Sequence, residues 1–395
     1  MALFDYEVPA ETSSSMVEIS QPSPGSFLSN LDKHRGTRLP LTIDDDLCLE
    51  TGIDLGDGTH IVFKPGMRHS SYIYSISQHY PDEWFGGRFV LYPLLSNVYG
   101  ISPRFRRSSP RRNGICVYLN SRAVLLFKCR TLGLSTGERS RNVSIPSFIK
   151  TRGQDSVLRF LEGFQYADGS FVCGNSPCVR ITTSSWRLAR ELDATADEIS
   201  VSHSMSRDHP TTGFSLRTTG EKGIRQWVRL VRLLNPVHIS KFLVWNRLSE
   251  CPPRLFLRQC VGLLLGDVSP ASLLTRQSLK DYQKRFLESV DLLTLFVLRS
   301  DSVDVDGLVR ESVARSREAT LESIKRLRRK RLLRSSPSDM QRSYTLSSEG
   351  VEVIERFEEA WEMIRHENPR IFPLKSYERL SVPPVLAEEP PRLAN

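Results

Sequence analysis

No run in this 395-residue sequence is apolar for long enough to span a bilayer, which argues against a helical membrane protein. The first residues carry Asp5, Glu7 and Glu11 and lack the basic-then-apolar pattern of a secretory signal. Cysteine is sparse: seven, scattered and odd in number, which fits reduced thiols in an intracellular protein. Cys173 and Cys178 flank G-N-S-P and are spaced to face each other across a hairpin, but no second Cys or His pair completes a zinc set. The first position is Met, with no nucleophile there, so an intact self-splicing intein is not expected. Basic residues, by contrast, are plentiful. Lys and Arg number 54 against 45 Asp and Glu, and the net charge of +9 suits a polyanionic partner. A hydrophobic fraction of 39% over this length allows two or three domains with real cores.

Two segments repeat a pattern. L-E-T-G-I-D-L-G-D-G runs from Leu49 to Gly58, and L-E-G-F-Q-Y-A-D-G from Leu161 to Gly169. Each is helix-like, ends in Asp-Gly, and carries small residues four apart just before the acid: Gly52 and Gly56, then Gly163 and Ala167. That spacing puts both small residues on one helix face, where two backbones can touch. Helices packed this way bring Asp57 and Asp168 out at the same end, and two neighbouring carboxylates repel unless a cation lies between them. For a single copy, Asp-Gly can simply stop a helix; two matched copies favour the paired reading.

With these residues in view, the sequence resembles the LAGLIDADG homing endonuclease family in its single-chain form with two pseudo-symmetric halves. The likeness covers about residues 42 to 245. It includes Asn120 to Ile149, similar to the family's connection between halves, and Thr219 to Pro236, similar to its closing helix. Motif two is close to the pattern; motif one keeps G-D-G but is polar upstream at Glu50, Thr51 and Asp54. The expected fold is α+β: two αββαββα halves forming a DNA-binding saddle, followed by an α-rich winged-helix domain.

The expected organisation is a disordered lead over 1–38, half one over 39–150, half two over 151–245, a helical linker over 246–278, a winged helix-turn-helix over 279–365 and a Pro-rich tail over 366–395. Half one reads as a helix over 43–57, strands over 59–63 and 71–77, a helix over 82–99, a hairpin over 104–120 and a helix capped by Ser121. Half two repeats the order, with its motif helix over 154–168, strands over 170–172 and 178–183, a helix over 185–199, strands about the turn at 207–213, and a closing helix over 221–234.

Alternate strand residues share a face. Arg104 and Arg106 fall together, with Arg111 and Arg112 at the adjoining turn; Arg180, Arg207 and Arg217 are expected on the matching surface of half two. Such a basic saddle would neutralise phosphates and read base edges of double-stranded DNA. Taken singly, each Arg is as well read as a solvated surface charge.

Residues 290 to 360 resemble the winged helix of MarR-type regulators, with S-P-S-D in the wing and L-S-S-E-G at its exit. Ser316 caps the third helix, which the resemblance places in the major groove with Arg317, Thr320 and Ser323 toward base edges, and Arg334 and Arg342 toward backbone or minor groove. Docking onto protein is the competing role of this module.

The first resemblance further implies that Asp57 and Asp168, with the preceding Gly56 and Ala167, bind divalent metal, Mg2+ being expected, for phosphodiester hydrolysis. Gln78 and His79 fall where the family places polar and basic catalytic residues; half two has Thr183 and Ser184 there and no Lys. His60 reads as a solvent-facing strand residue. Two functions follow: a metal-dependent DNA endonuclease with an accessory winged helix, or a catalytically silent DNA-binding transcription regulator similar to WhiA. RNA ranks third as a partner. One chain supplies both halves, so a monomer is expected, inside the cell and associated with the nucleoid.

Overall fold

The computed structural model describes residues 17–18, 27–62, 72–79, 81–107, 114–134, 141–174, 176–209, 213–248, 255–267, 287–299, 303–310, 316–336 and 343–374. The fold is mixed α+β with antiparallel sheets. Strand β1 (Val17–Glu18) pairs with β2 (Thr42–Ile43), and α1 (Asn30–His34) lies between them. A capping box closes α1: Ser29 Oγ accepts the Asp32 amide, and Asp32 accepts the Ser29 amide. Asp32 is buried and also accepts Ser121 Oγ at 2.6 Å. From residue 27 onward the expected disordered lead is therefore ordered, held to half one by this aspartate.

Helix α2 (Asp45–Asp57) starts where Asp44 Oδ1 accepts the Leu47 amide at 2.8 Å, while Ile43 remains in β2. It feeds β3 (Gly58–Val62) and β4 (Tyr72–His79). The next helical stretch is α3 (Trp84–Gly86), a π-helical turn over Gly87–Leu91, and α4 (Tyr92–Tyr99), stopped by left-handed Gly100 at φ +69°. Strands β5 (Arg104–Arg107) and β6 (Gly114–Asn120) lead to α5 (Arg122–Leu126), capped by Ser121 and carried on by a π-helical turn over Phe127–Thr131. After α6 (Ser147–Lys150), α7 (Gln154–Asp168) opens the second half with the bounds read from sequence. Strands β7 (Gly169–Val172) and β8 (Cys178–Thr183), helix α8 (Trp186–Glu198), strands β9 (Ser204–His209) and β10 (Gly213–Thr219), and helix α9 (Glu221–Leu230) follow.

The two four-stranded sheets have the orders β3-β4-β6-β5 and β7-β8-β10-β9, so each places its first, second, fourth and third strands side by side. Alternation sets which face is covered. Ile115, Val117 and Leu119 of β6 and Val179, Ile181 and Leu216 of the second sheet are buried in the apolar core. Cys116 and Tyr118 point the other way. Cys173 and Cys178 are both buried free thiols.

Helices α10 (Pro236–Arg247) and α11 (Leu257–Leu264) connect to the C-terminal part. There α12 (Ser289–Val297), α13 (Val305–Arg310) and α14 (Arg317–Arg329) precede the hairpin of β11 (Leu333–Ser336) and β12 (Ser343–Leu346), and α15 (Ser348–Glu367) closes the array. Val303 bridges to Tyr344, adding a third short edge to the hairpin. This part shares a core with half one. Phe296 packs on Trp84, Phe85 and Phe89, and Trp361 lies 5.2 Å from Phe89 between ring centres. Residues 366–374, expected in the tail, are held too: the Phe372 amide donates to Phe89 O, and Arg370 pairs with Asp46 at 2.6 Å. The rest of the expected tail lies outside the described residues. Among the described residues, no helix is long and apolar enough to cross a membrane.

Candidate metal and nucleic-acid site

The site begins with two helices in backbone contact. A Cβ added to Gly52 would fall well inside 3.0 Å of the Phe160 carbonyl, and one on Gly163 equally close to the Leu49 carbonyl. Only glycine permits that approach, and it aligns the ends of α2 and α7. Gly56 faces Ala167 in the same way, and a Cβ on Gly56 would lie 3.4 Å from Asp168 Oδ2. The Asp168 carboxylate thus rests against the residue preceding Asp57. Burial, then the charges of Asp168 and Glu83, push the Asp57 carboxyl up to about 8. Burial pushes Asp168 up to about 6. Among the described residues, neither carboxylate takes a hydrogen bond or an ion pair.

Such a pair fits a hard divalent cation: two half-buried oxygen donors that the described residues around them leave unpaired, and whose raised affinity for protons a bound cation would offset. Among the described residues no group of three or more His, Cys, Asp or Glu side chains forms a complete metal cage, so two carboxylates are the acidic donor set.

Gln78 and His79 end β4 and alternate. Gln78 pairs with Ile115 and turns inward, where its Oε1 accepts Tyr166 Oη at 2.7 Å and its Nε2 donates to Ser77 O at 2.8 Å. The amide is buried and tied to Tyr166, a residue of the opposite half, so Gln78 is not placed as a free polar group beside the acids as expected. His79 is exposed on the outer face, and its amide donates to Glu83. Glu83 also accepts Asn235 Nδ2 at 3.4 Å, and burial raises its carboxyl. In the second sheet, Gly169 pairs with Ile181 as Gly58 pairs with Ile76, so Thr183 occupies the place of Gln78 and Ser184 that of His79. Thr183 Oγ1 accepts the Ser185 amide at 3.1 Å.

The polar upstream residues of motif one have a structural reason that the sequence did not reveal. Lys128 Nζ sits 2.7 Å from Glu50 Oε1 and 2.9 Å from Asp54 Oδ2, all fully buried. Tyr74 and Tyr99 donate to Glu50, and His60 Nε2 lies 3.0 Å from Asp54 Oδ2. His60 is therefore buried, not solvent-facing: its partner Asp54 is on the motif helix six residues earlier. In half two the position of Asp54 holds Gln165, satisfied by Trp227 Nε1 at 2.8 Å.

On the outer faces, Arg104 pairs with Tyr118 and Arg106 with Cys116, opposite to core-facing Val117, and both arginines are exposed. In the second sheet Arg217 lies directly opposite Arg180. Like charges across a ladder repel, and an anion over them relieves the repulsion. Arg207 is not with them. It pairs with Phe214 on the side of Met205 and Leu216, after a register shift at Gly213 and Phe214, and its guanidinium lies over the Phe214 ring. Arg111, Arg112 and Arg342 lie outside the described residues.

In the C-terminal part Ser316 caps α14 as expected, but Thr320 and Ser323 are fully buried. Ser323 donates to Asp291 Oδ1 at 2.6 Å and lies 3.0 Å from Thr294 Oγ1, both on α12. That corrects their placement toward base edges. Arg317 is exposed and pairs with Asp306 at 2.9 Å; Arg334 is exposed.

No family model and no curated protein matches this sequence. Among solved structures, the chain is similar to I-DmoI in complex with DNA and Mn, at 12% identity over 47% of this chain and 96% of that one, TM-score 0.36. It is also similar to the meganuclease I-SmaMI bound to uncleaveable DNA, at 11% identity over 60% of this chain and 95% of that one, TM-score 0.36. A third is the LAGLIDADG homing endonuclease I-LtrWI bound to target DNA, at 9% identity over 61% of this chain and 96% of that one, TM-score 0.36. Likenesses this low decide nothing about activity.

Proposed function

We propose that this chain is a metal-dependent endonuclease that binds double-stranded DNA across its two sheets, in the manner of the LAGLIDADG family its sequence resembles. The observation that carries the reading is the half-buried carboxylate pair of Asp57 and Asp168, unpartnered among the described residues, at one end of a glycine-lined helix contact. The two halves form a pseudo-symmetric saddle, and the C-terminal part is a winged helix that adds affinity by linked binding. One chain supplies both halves, so a monomer suffices, acting on DNA inside the cell.

Asp57 and Asp168, with the carbonyls of Gly56 and Ala167, would hold the ion, Mg2+ in the physiological case. Bound there, it would supply charge stabilisation and an acidified water for phosphodiester hydrolysis. The chain's residues do the rest. Arg104, Arg106, Arg180 and Arg217 fix the duplex through its phosphates. His79 lies at the strand end nearest the acids, with its imidazole exposed on the outer face. Tyr166 and Gln78, both buried, join the two halves beside the site through their hydrogen bond.

The test is binding-site selection from random duplexes, then incubation of the selected duplex with Mg2+. Wild type should cut; Asp57→Asn and Asp168→Asn should bind with little change and cut at least about a thousandfold more slowly. Tight, selective binding with no cutting under any divalent cation would defeat the enzyme reading and leave a DNA-binding regulator. Preference for RNA of the same sequence would defeat the duplex reading.

A further inference from the structure

Helix α14 divides into two electrostatic halves. Its first part is acidic or internally paired. Glu318 and Glu322 are exposed, Arg317 is tied to Asp306, Lys325 to Glu322 at 2.7 Å, and Arg326 to Asp291 at 2.7 Å. Its end is different. Arg328, Arg329, Arg331 and Arg334 are all exposed, and among the described residues none of them has an ion pair. Four guanidinium groups within seven residues repel one another and gain from a polyanion.

The backbone adds an independent observation. Arg331 stands just past the helix cap Lys330 with φ +60°, in the left-handed region. The Leu332 amide closes on Leu327 O at 2.9 Å, the six-to-one bond of a Schellman turn, and Ser347 Oγ donates to Arg331 O at 2.7 Å. This position ordinarily takes Gly, which adopts the conformation without a Cβ clash. A bulky cation held in strained backbone is a feature that folding alone does not call for. Meanwhile the short polar residues that would read bases are both buried, Thr320 bonded back to Ser316 O and Ser323 held against α12.

Resting on the DNA reading above, we infer that the end of α14 and the start of β11 form a phosphate-binding patch, made by Arg328, Arg329, Arg331 and Arg334, that grips duplex DNA without reading its sequence. The winged part then contributes affinity, and the two sheets contribute selectivity.

The experiment uses the full chain and two labelled duplexes, the selected site and a random sequence, with binding followed by anisotropy over a salt series. Arg331→Gly should raise the unfolding midpoint, because the turn is relieved, and yet weaken binding to both duplexes about twofold to fivefold. The quadruple variant with Gln at all four positions should weaken both duplexes by the same factor and lower the slope of log affinity against log salt by about 0.9 for each phosphate no longer neutralised. An unchanged salt slope, a weakening confined to the selected site, or a lower unfolding midpoint for Arg331→Gly would each overturn the inference while leaving the saddle reading in place. Tighter binding of single-stranded RNA than of duplex would also overturn it. Failure of wild type to bind any duplex would overturn the saddle reading and this one together.

Discussion

Moving one methyl group from α7 to α2 tests the contact on which the site depends. A Cβ placed on Gly56 meets the Ala167 Cβ at under 3.0 Å, against 3.4–4 Å for ordinary contact. Neither atom ends a flexible chain, so the helices must separate. Overpacking of this kind costs about 1–3 kcal/mol, reduced by the ~0.5–1 kcal/mol that Ala gains over Gly within a helix. Ala167→Gly alone should cost about that same propensity term. In the double variant Gly56→Ala with Ala167→Gly, the propensity changes cancel and the clash is gone, so stability should return close to wild type. The expected coupling is about 1–3 kcal/mol, well above the roughly 0.3–0.5 kcal/mol scatter of independent sites. Urea unfolding with and without Ca2+ reads both stability and the ion's stabilising effect, which should fall in Gly56→Ala and recover in the double variant. Additive effects, with the double variant less stable than Gly56→Ala, would show that these helices do not touch there.

Four more outcomes are expected. Lys128→Met leaves Glu50 and Asp54 buried without their cation and should destabilise the fold by about 3–5 kcal/mol in denaturant melts; a change under about 1 kcal/mol would contradict the buried network. Asp57 and Asp168 hold their protons more tightly in the folded state, at about 8 and about 6 against an ordinary 3.8. Their contribution to stability is therefore full below about pH 4 and is lost as pH rises, first through 6 and then through 8. In chelator the melting temperature should fall over that window, with Asp57→Asn flattening its upper part; equal profiles for the two proteins would refute the assignment. Gly163→Ala, whose new Cβ has only backbone to displace, should cost more than any other single methyl addition along α7, read by the same melts. Arg180→Gln should weaken duplex binding and remove cross-strand repulsion with Arg217 at once, so affinity drops while thermal stability holds or rises.

The features legible in sequence were those set by short spacing. Gly52 and Gly163 announced a helix contact because residues four apart share a face, and α7 and β8 have the bounds read for them. The faces of Arg104 and Arg106 followed from simple alternation. What stayed hidden depended on partners far along the chain. His60 reads as a surface residue until Lys128 arrives to complete the cluster around Asp54. Ser323 reads as exposed until α12 covers it, and Thr320 is buried as well. Arg207 changed faces through a one-residue shift near Gly213, which alternation from the turn does not foresee. Gln78 looked catalytic by position, but its orientation is decided by a tyrosine from the other half.

The aromatic seam between Phe85, Phe89, Phe296 and Trp361 has an engineering consequence. A piece carrying only the two four-stranded sheets and their helices, trimmed near residue 245, would strip Trp84, Phe85 and Phe89 of their cover and remove Arg370 from the acidic start of α2. That piece would be sticky and less stable, so any shortened version has to carry the residues after 245 along or repaint the exposed rings with polar side chains.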